Sequence, residues 1–282
     1  MKTQKGGLSA VGRGATLALL AAGILVCMIP LYVMSVMAFK TPSDAATSSV
    51  WALPRVATLA NFREVLGSPN VIFALLFKNT VFLAVVNTVG VVLTSALAAY
   101  AFARLKFAGR DRLFIVLLST MMLPGIVTLI PSYVVFAKVH WVDTFLPLTV
   151  PAFFGGGAFN IFLLRQFFSS IPRELDEAAV LDGAGHWTIF RRLILPLSKP
   201  ALVTVGVFTF VGTWRDFMGP LLYLDDARKQ TLEVGLATYN ALRDEKIHLM
   251  MAASLMVMLP LVVIFLVGQR YFVKGIVMTG LK

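Results

Sequence analysis

"ELDEAAVLDGAGHWTIFRRLILPLSKPAL", from Glu174 to Leu202, is a charged stretch in an otherwise oily chain. Ser170 and Pro172 just before it are helix-start signals. Leu175, Ala178, Ala179 and Asp182 then recur at i, i+3, i+4 and i+7, which predicts a short helix with one small-residue face. The acids Glu174, Asp176 and Glu177 fall near its N-terminus, where the macrodipole favours them, and Gly183 with Gly185 ends it. A second helix is expected from about His186. On it Trp187, Ile189, Phe190, Leu193 and Ile194 fill one arc, and Thr188, Arg191 and Arg192 the other, as on a helix lying in a membrane interface. The connection that contains both helices, 165–199, exceeds the roughly 12 to 15 residues at which an unstructured loop becomes uncommon. It should therefore have its own fold and form an elbow into the apolar run that follows.

The rest of the chain sets that stretch against a membrane. Of 282 residues 58% are hydrophobic and 14% charged, and the mean hydropathy is +0.84, too apolar for a soluble domain of this length. Apolar runs extend over Gly14 to Phe39, Asn79 to Ala103, Leu113 to Ala137, Thr144 to Leu164 and Leu249 to Gln269. Each reaches the roughly 20 helical residues that cross a bilayer. A sixth, Pro200 to Leu224, is interrupted by Arg215 and Asp216. The first run is longer than the apolar core of a signal peptide, about 7 to 15 residues, and is read as a retained helix. Val65 to Phe77 is too short to span and is expected to lie as an interfacial helix on the outer side.

Six spans put both termini on one side, and the loops of that side carry 15 of the 25 lysines and arginines. The positive-inside rule makes that side cytoplasmic. It also explains the formal charge of +11 without nucleic acid, because the cations sit in short clusters between apolar runs. The expected organisation is a cytoplasmic N-terminus, 1–13, a six-span domain, 14–271, and a cytoplasmic tail, 272–282. Prolines 124, 131, 147 and 151, with Gly155, Gly156 and Gly157, fall within spans three and four. They allow two readings: close helix packing, or broken helices along a translocation path.

Glu177, Ala178 and Ala179, then Gly183, then Leu193, Leu195 and Pro196 resemble the EAA loop of binding-protein-dependent ABC importer permeases, with Leu193 standing where the family has Ile. The likeness extends over most of the chain and is closest to the MalG-like carbohydrate branch. It is carried by 121–184 and by "YAFARLKFAGR", "TLEVGLATY" and "QRYFVKGI". The resemblance implies an all-α transmembrane fold, the six-helix type I ABC importer permease subunit, in a bacterial or archaeal cell membrane. It further implies that the loop docks on a separate ATPase through Glu174, Glu177, Ala178, Ala179, Asp182, Gly183, Leu193, Leu195 and Pro196. The implied partners are a second related permease, two ATPase domains and an extracytoplasmic solute-binding protein, besides membrane lipid. Asn160, Trp214, Arg215 and Asp216 are the expected substrate-path residues; where this chain has Arg215 the family usually has Asn. A sugar or sugar derivative is the expected substrate, with glycerol phosphate, a polyol or another small solute as the alternative.

No G-x-x-x-x-G-K-[ST] occurs, and "DGAGHW" lacks the lysine that would hold phosphates. ATP and Mg are thus expected on the partner ATPase, with no cofactor in this chain. His140, His186 and His248 are scattered, so neither a catalytic triad nor a metal-ligand spacing is visible and no enzyme is expected. The single cysteine, Cys27, excludes a disulfide framework. An ion-coupled carrier would usually keep ionisable groups at mid-membrane and show internal repeats. The spans hold only the Arg215 and Asp216 pair. A passive membrane anchor is the third reading, but the chain offers no soluble domain to anchor.

Overall fold

Apolar runs with their ends marked by proline, glycine and charge become helices because in hydrocarbon a helix satisfies every backbone group internally. In the computed structural model, which describes residues 10–68, 72–242 and 246–279, they run in the order α1 (Ala10–Ala38), α2 (Pro42–Thr47), α3 (Ala60–Leu66), α4 (Phe73–Arg104), α5 (Arg110–Ser119), α6 (Gly125–Lys138), α7 (Leu146–Thr149), α8 (Ala158–Ser170), α9 (Glu174–Leu181), α10 (His186–Ile189), α11 (Leu195–Leu197), α12 (Lys199–Trp214), α13 (Met218–Tyr223), α14 (Leu232–Leu242) and α15 (Ile247–Thr279). Among the described residues there is no strand. Four stretches are long and apolar enough to cross a membrane unaided: 14–38, 73–104, 146–170 and 247–270. Two bent pairs, Arg110–Met122 with Gly125–Lys138 and His186–Leu197 with Lys199–Trp214, bring the total to six. Positions 1–9 of the expected N-terminal segment and 280–282 of the expected tail lie outside the described residues.

Several boundaries differ from expectation. Residues 65–77 do not form one interfacial helix: α3 ends at Leu66 on Gly67, and Phe73 already belongs to α4. Span five ends at Trp214 rather than Leu224, with α13 a separate short helix. The connection after span four begins at Ile171, because α8 carries Arg165 within it; the guanidinium lies 4.0 Å from the centre of the Phe114 ring.

The chain divides into two compact units. In the first, side-chain hydrogen bonds brace the polar turn after α1. Buried Lys40 donates to Ser48 Oγ and the Ser49 carbonyl, each at 2.7 Å, and Asn61 Nδ2 donates to the carbonyls of Ala38 and Lys40 at 2.8 and 2.7 Å. The second unit is built around α4, which packs on α8 and α12. Its core joins Val91, Ala99 and Tyr100 of α4 to Ile161, Leu164 and Phe168 of α8 and to Ala201 and Val205 of α12.

The proline- and glycine-rich spans are both broken and closely packed. Span three is bent by 98° before Gly125, where Pro124 is extended. In span four the helix gives way to a 3-10 turn over Val150–Phe153, then to Gly155, Gly156 and Gly157 at φ +90, +57 and +100. A Cβ on Gly156 would lie 2.3 Å from Val91, so the break is also a close contact with α4. The freed backbone groups are taken up by α4 hydroxyls: Ser95 Oγ donates to the Gly155 carbonyl at 2.7 Å, and the Gly155 N–H donates to Thr94 Oγ1 at 3.1 Å.

At the end of this unit where α4 begins, polar groups close on one another. Lys229 Nζ donates to the carbonyl and carboxylate of Asp143, whose Oδ1 also accepts the N–H groups of Asp225 and Asp226 at 3.1 and 2.9 Å. Asn79 Nδ2 donates to the carbonyls of Arg228 and Gln230, and Thr80 Oγ1 accepts the Leu232 N–H. The Lys229 ammonium, with the two N–H groups, holds the Asp143 carboxyl below the usual carboxylate range.

Candidate functional site

The other end of the same unit is organised around α9. Pro172 forces Ile171 into an extended conformation, ψ 131, and so stops α8. Glu174, Asp176 and Glu177 fill the first turn of α9, as the macrodipole favours. At its C-terminus the Gly183 N–H donates to the Val180 carbonyl and the Ala184 N–H to the Ala179 carbonyl, both at 2.9 Å. These two bonds make a Schellman cap, with Gly183 in the left-handed region at φ +81. A Cβ there would meet nothing within 4 Å, so backbone conformation rather than space demands the glycine.

The side chains of α9 are mostly not used by the bundle. Glu174, Leu175, Glu177, Ala178, Val180, Leu181 and Asp182 are exposed, Leu181 at 88%. Only Ala179, with Ala184 beyond it, packs partly against the core. The expected small-residue face is therefore divided: Leu175 and Ala178 point away from the bundle and Ala179 toward it. The result is a short helix that displays apolar side chains beside carboxylates.

Arg104, from the last turn of α4, fixes the position of α9. Its side chain is 2% exposed; Nη2 donates to the carbonyls of Phe168 and Ile171, both at 2.7 Å, and Nη1 lies 3.3 Å from Asp176 Oδ2. One guanidinium thus caps the C-terminus of α8 and holds the first turn of α9. Tyr100, one turn earlier, donates its hydroxyl to the His186 carbonyl at 3.1 Å. Sequence reasoning missed these roles for Arg104, Asp176 and Tyr100. The one available signal was the cation in the last turn of a span, where exposed carbonyls await a donor.

Beyond Gly185 the chain forms the elbow. α10 passes into a π-helical turn, Phe190–Ile194, closed by the Leu195 N–H on the Phe190 carbonyl, and then into α11. Pro196 and Pro200, four residues apart, explain the bend. Pro196 cannot donate to Arg192, and the Pro200 ring would collide with the Pro196 carbonyl of a straight helix. The chain turns by 77° at Ser198 into α12. Ile189, Phe190 and Ile194 are buried and Leu193 and Leu195 partly so, while Pro196, Arg191 and Arg192 are exposed. Trp187 departs from the expected apolar arc and stands 63% exposed.

The four expected substrate-path residues are not used alike. Asn160 Nδ2 donates to the Gly156 carbonyl at 2.8 Å and closes the break in span four. Trp214 is buried, stacked on Phe210 and edge-on to Phe77. Asp216 Oδ1 accepts the Gly219 N–H at 3.0 Å, capping α13 instead of pairing with Arg215. Arg215 alone of the four is exposed. Its charge acts on Glu233, whose carboxyl burial pushes up and Arg215 partly brings back. Among the described residues no group of three or more His, Cys, Asp or Glu is placed to hold a metal ion.

Residues 90–277, which include the α8–α12 elbow, match the family described as "Binding-protein-dependent transport system inner membrane component". The chain belongs to this family. It is an all-α, six-span permease subunit of the type I ABC importer class. The "sn-glycerol-3-phosphate transport system permease protein UgpE" of Pectobacterium atrosepticum is 34% identical over 92% of this chain and 94% of its own. The "Trehalose/maltose transport system permease protein MalG" of Thermococcus litoralis is 33% identical, covering 92% of each chain. Among solved structures, a chain of a bacterial ABC transporter involved in the import of the acidic polysaccharide alginate superposes with a TM-score of 0.81 at 24% identity, over 94% of this chain and 98% of that one. Membership of a family of transport components sets aside the reading of a passive anchor.

Proposed function

We propose that α9 is the docking helix through which a separate ATPase subunit drives this permease, and that the solute imported is a sugar or sugar derivative. ATP and Mg belong to that partner, and a second related permease supplies the other half of the path. An extracytoplasmic binding protein delivers the solute. The termini and α9 face the cytoplasm, in keeping with the basic residues concentrated on their side.

The observation that carries this reading is the mounting of α9: exposed on its outer surface, capped at Gly183 and clamped by Arg104 to the ends of both α4 and α8. When the ATPase pair closes, a displacement of α9 passes through the guanidinium to α4 and α8. Through the elbow it passes to α12. Packed helices with two discrete arrangements turn such a shift into alternate opening. The names of the maltose and glycerol phosphate relatives support sugar first and a small phosphorylated polyol second. The ligand that co-purifies with the cognate binding protein decides between them.

Transport and ATP hydrolysis measured together in proteoliposomes test the docking role. Gly183→Val, which forces a β-branched residue to φ +81, and Glu177→Lys, which reverses an exposed charge on α9, should each reduce uptake at least tenfold while the chain still inserts. Normal uptake by both variants would mean that α9 is only a connection between spans.

A further inference from the structure

Beside the foot of α9, between the end of α4 and the start of α5, lies an open depression of about 680 Å³ lined by Lys106, Arg110, Arg112 and Arg173, with Phe107 and Asp111. Asp111 is engaged by Arg110, whose Nε lies 2.9 Å from its Oδ1. Among the described residues Lys106, Arg112 and Arg173 form no ion pair. Three cations without an ion pair therefore line one open hollow, whose one lining carboxylate, Asp111, is engaged by Arg110. The backbone adds to the field: Gly109, at φ +79, starts α5 without a side-chain cap, and the positive end of a ten-residue helix opens into the same hollow.

We infer that this hollow binds the phosphate of an anionic phospholipid. The chemistry shared by a lipid headgroup and a free phosphate is a compact anion with several acceptor oxygens, which guanidinium groups match. The surroundings favour the lipid. Phe107 is exposed at the rim, and immediately beyond it α5 displays Leu113, Ile115 and Val116 outward along a membrane-crossing segment. A headgroup in the hollow would lay its acyl chains along that strip, whereas free phosphate would leave it uncovered. Basic pockets at the end of transmembrane helices recognise anionic lipids in this manner. Arg173 lines the hollow and directly precedes α9, so a bound headgroup would contact the segment that leads into the elbow. This assignment does not depend on α9 being a docking helix.

The test uses the full chain in its assembled transporter, with bound lipid counted by native mass spectrometry after equilibration with phosphatidylglycerol or phosphatidylcholine. Phosphatidylglycerol should be retained in preference, and the double variant Lys106→Gln, Arg112→Gln should weaken its retention by about twenty-fivefold, roughly fivefold for each cation removed. The charge-matched variant Arg191→Gln, Arg192→Gln, in the elbow and outside the hollow, controls for net charge and should retain it. Equal retention of the two lipids, or equal loss in the two double variants, would overturn the proposal. Displacement of phosphatidylglycerol by millimolar inorganic phosphate would assign the hollow to the free ion and also overturn it. Protection of the hollow by the ATPase instead, with no lipid bound, would have the same consequence.

Discussion

The two ends of the α4 bundle use their polar residues in opposite ways. From Asn79 to Arg104 α4 rises about 37 Å, so the two clusters it touches lie a membrane apart. At the Asn79 end the polar groups satisfy one another: Asp143, Lys229, Asn79 and Thr80 bind neighbouring backbone and side chains. At the Arg104 end a single buried guanidinium secures the frame through Asp176, and α9 is left with Glu174, Glu177, Leu175, Val180 and Leu181 exposed. A helix whose stability comes from a cap and one clamp can display side chains that the fold itself does not need. The closed end shows what the same chain does where its polar residues are spent on the fold.

The largest expected effect is at the clamp. Arg104→Ala leaves Asp176 without its partner and two carbonyls of the α8 terminus without their donor. Breaking a buried pair of this kind costs about 3 kcal/mol, so assembly and uptake should both collapse. Arg104→Lys keeps the charge but cannot reach three acceptors with one planar fork. It should assemble and hydrolyse ATP with uptake reduced several-fold, and equal behaviour of Lys and Arg would show that the fork is unimportant. At the closed end Asp143→Asn should lower the melting temperature by a few degrees and leave the number of solutes moved per ATP unchanged. A change in that ratio would mean that both ends take part in coupling.

The smallest effect is a titration. Asp143 has its carboxyl lowered chiefly by Lys229, so its contribution is complete above the ordinary carboxylate pKa of about 3.9. It is lost only as the pH falls through the lower folded value. Between about pH 7 and pH 5 the melting temperature should therefore not respond to this group. On further acidification the wild type should lose the advantage it holds over Asp143→Asn. A difference between the two that grows as the pH falls would contradict the assigned ion pair.

What the sequence made legible follows from the range of the interactions involved. Long apolar runs mark spans whatever they pack against, and the cap at Gly183 depends only on its own turn, so both could be read locally. Arg104 reaches Ile171 and Asp176 across about seventy positions, and nothing at either site alone announces the partner. The charge of Arg165 marks the end of an uncharged run, yet the face of Phe114 lets that charge remain inside α8. Asn160 and Asp216 are polar residues in apolar runs, expected on the substrate path, and the structure adds a local role for each. They satisfy backbone groups freed by a helix break and a helix start, needs that appear only once the spans are known to be broken. Trp187 leans on the buried Phe190 ring, 5.5 Å between centroids, yet stays 63% exposed, which an ideal helical wheel does not distinguish from burial.

The claim that the α9 end meets the ATPase and the Asn79 end does not can be measured by crosslinking in the assembled transporter. Cys27 is first replaced by serine, since it is exposed on α1. A single cysteine is then placed at Leu181 or at Asp225, whose side chain takes no part in the closed network. With a short thiol-to-amine crosslinker, the cysteine at position 181 should give a covalent adduct with the ATPase subunit, and its yield should change when ATP is added. The cysteine at position 225 should give none. An ATPase adduct from position 225, or none from position 181 with the complex intact, would contradict the account.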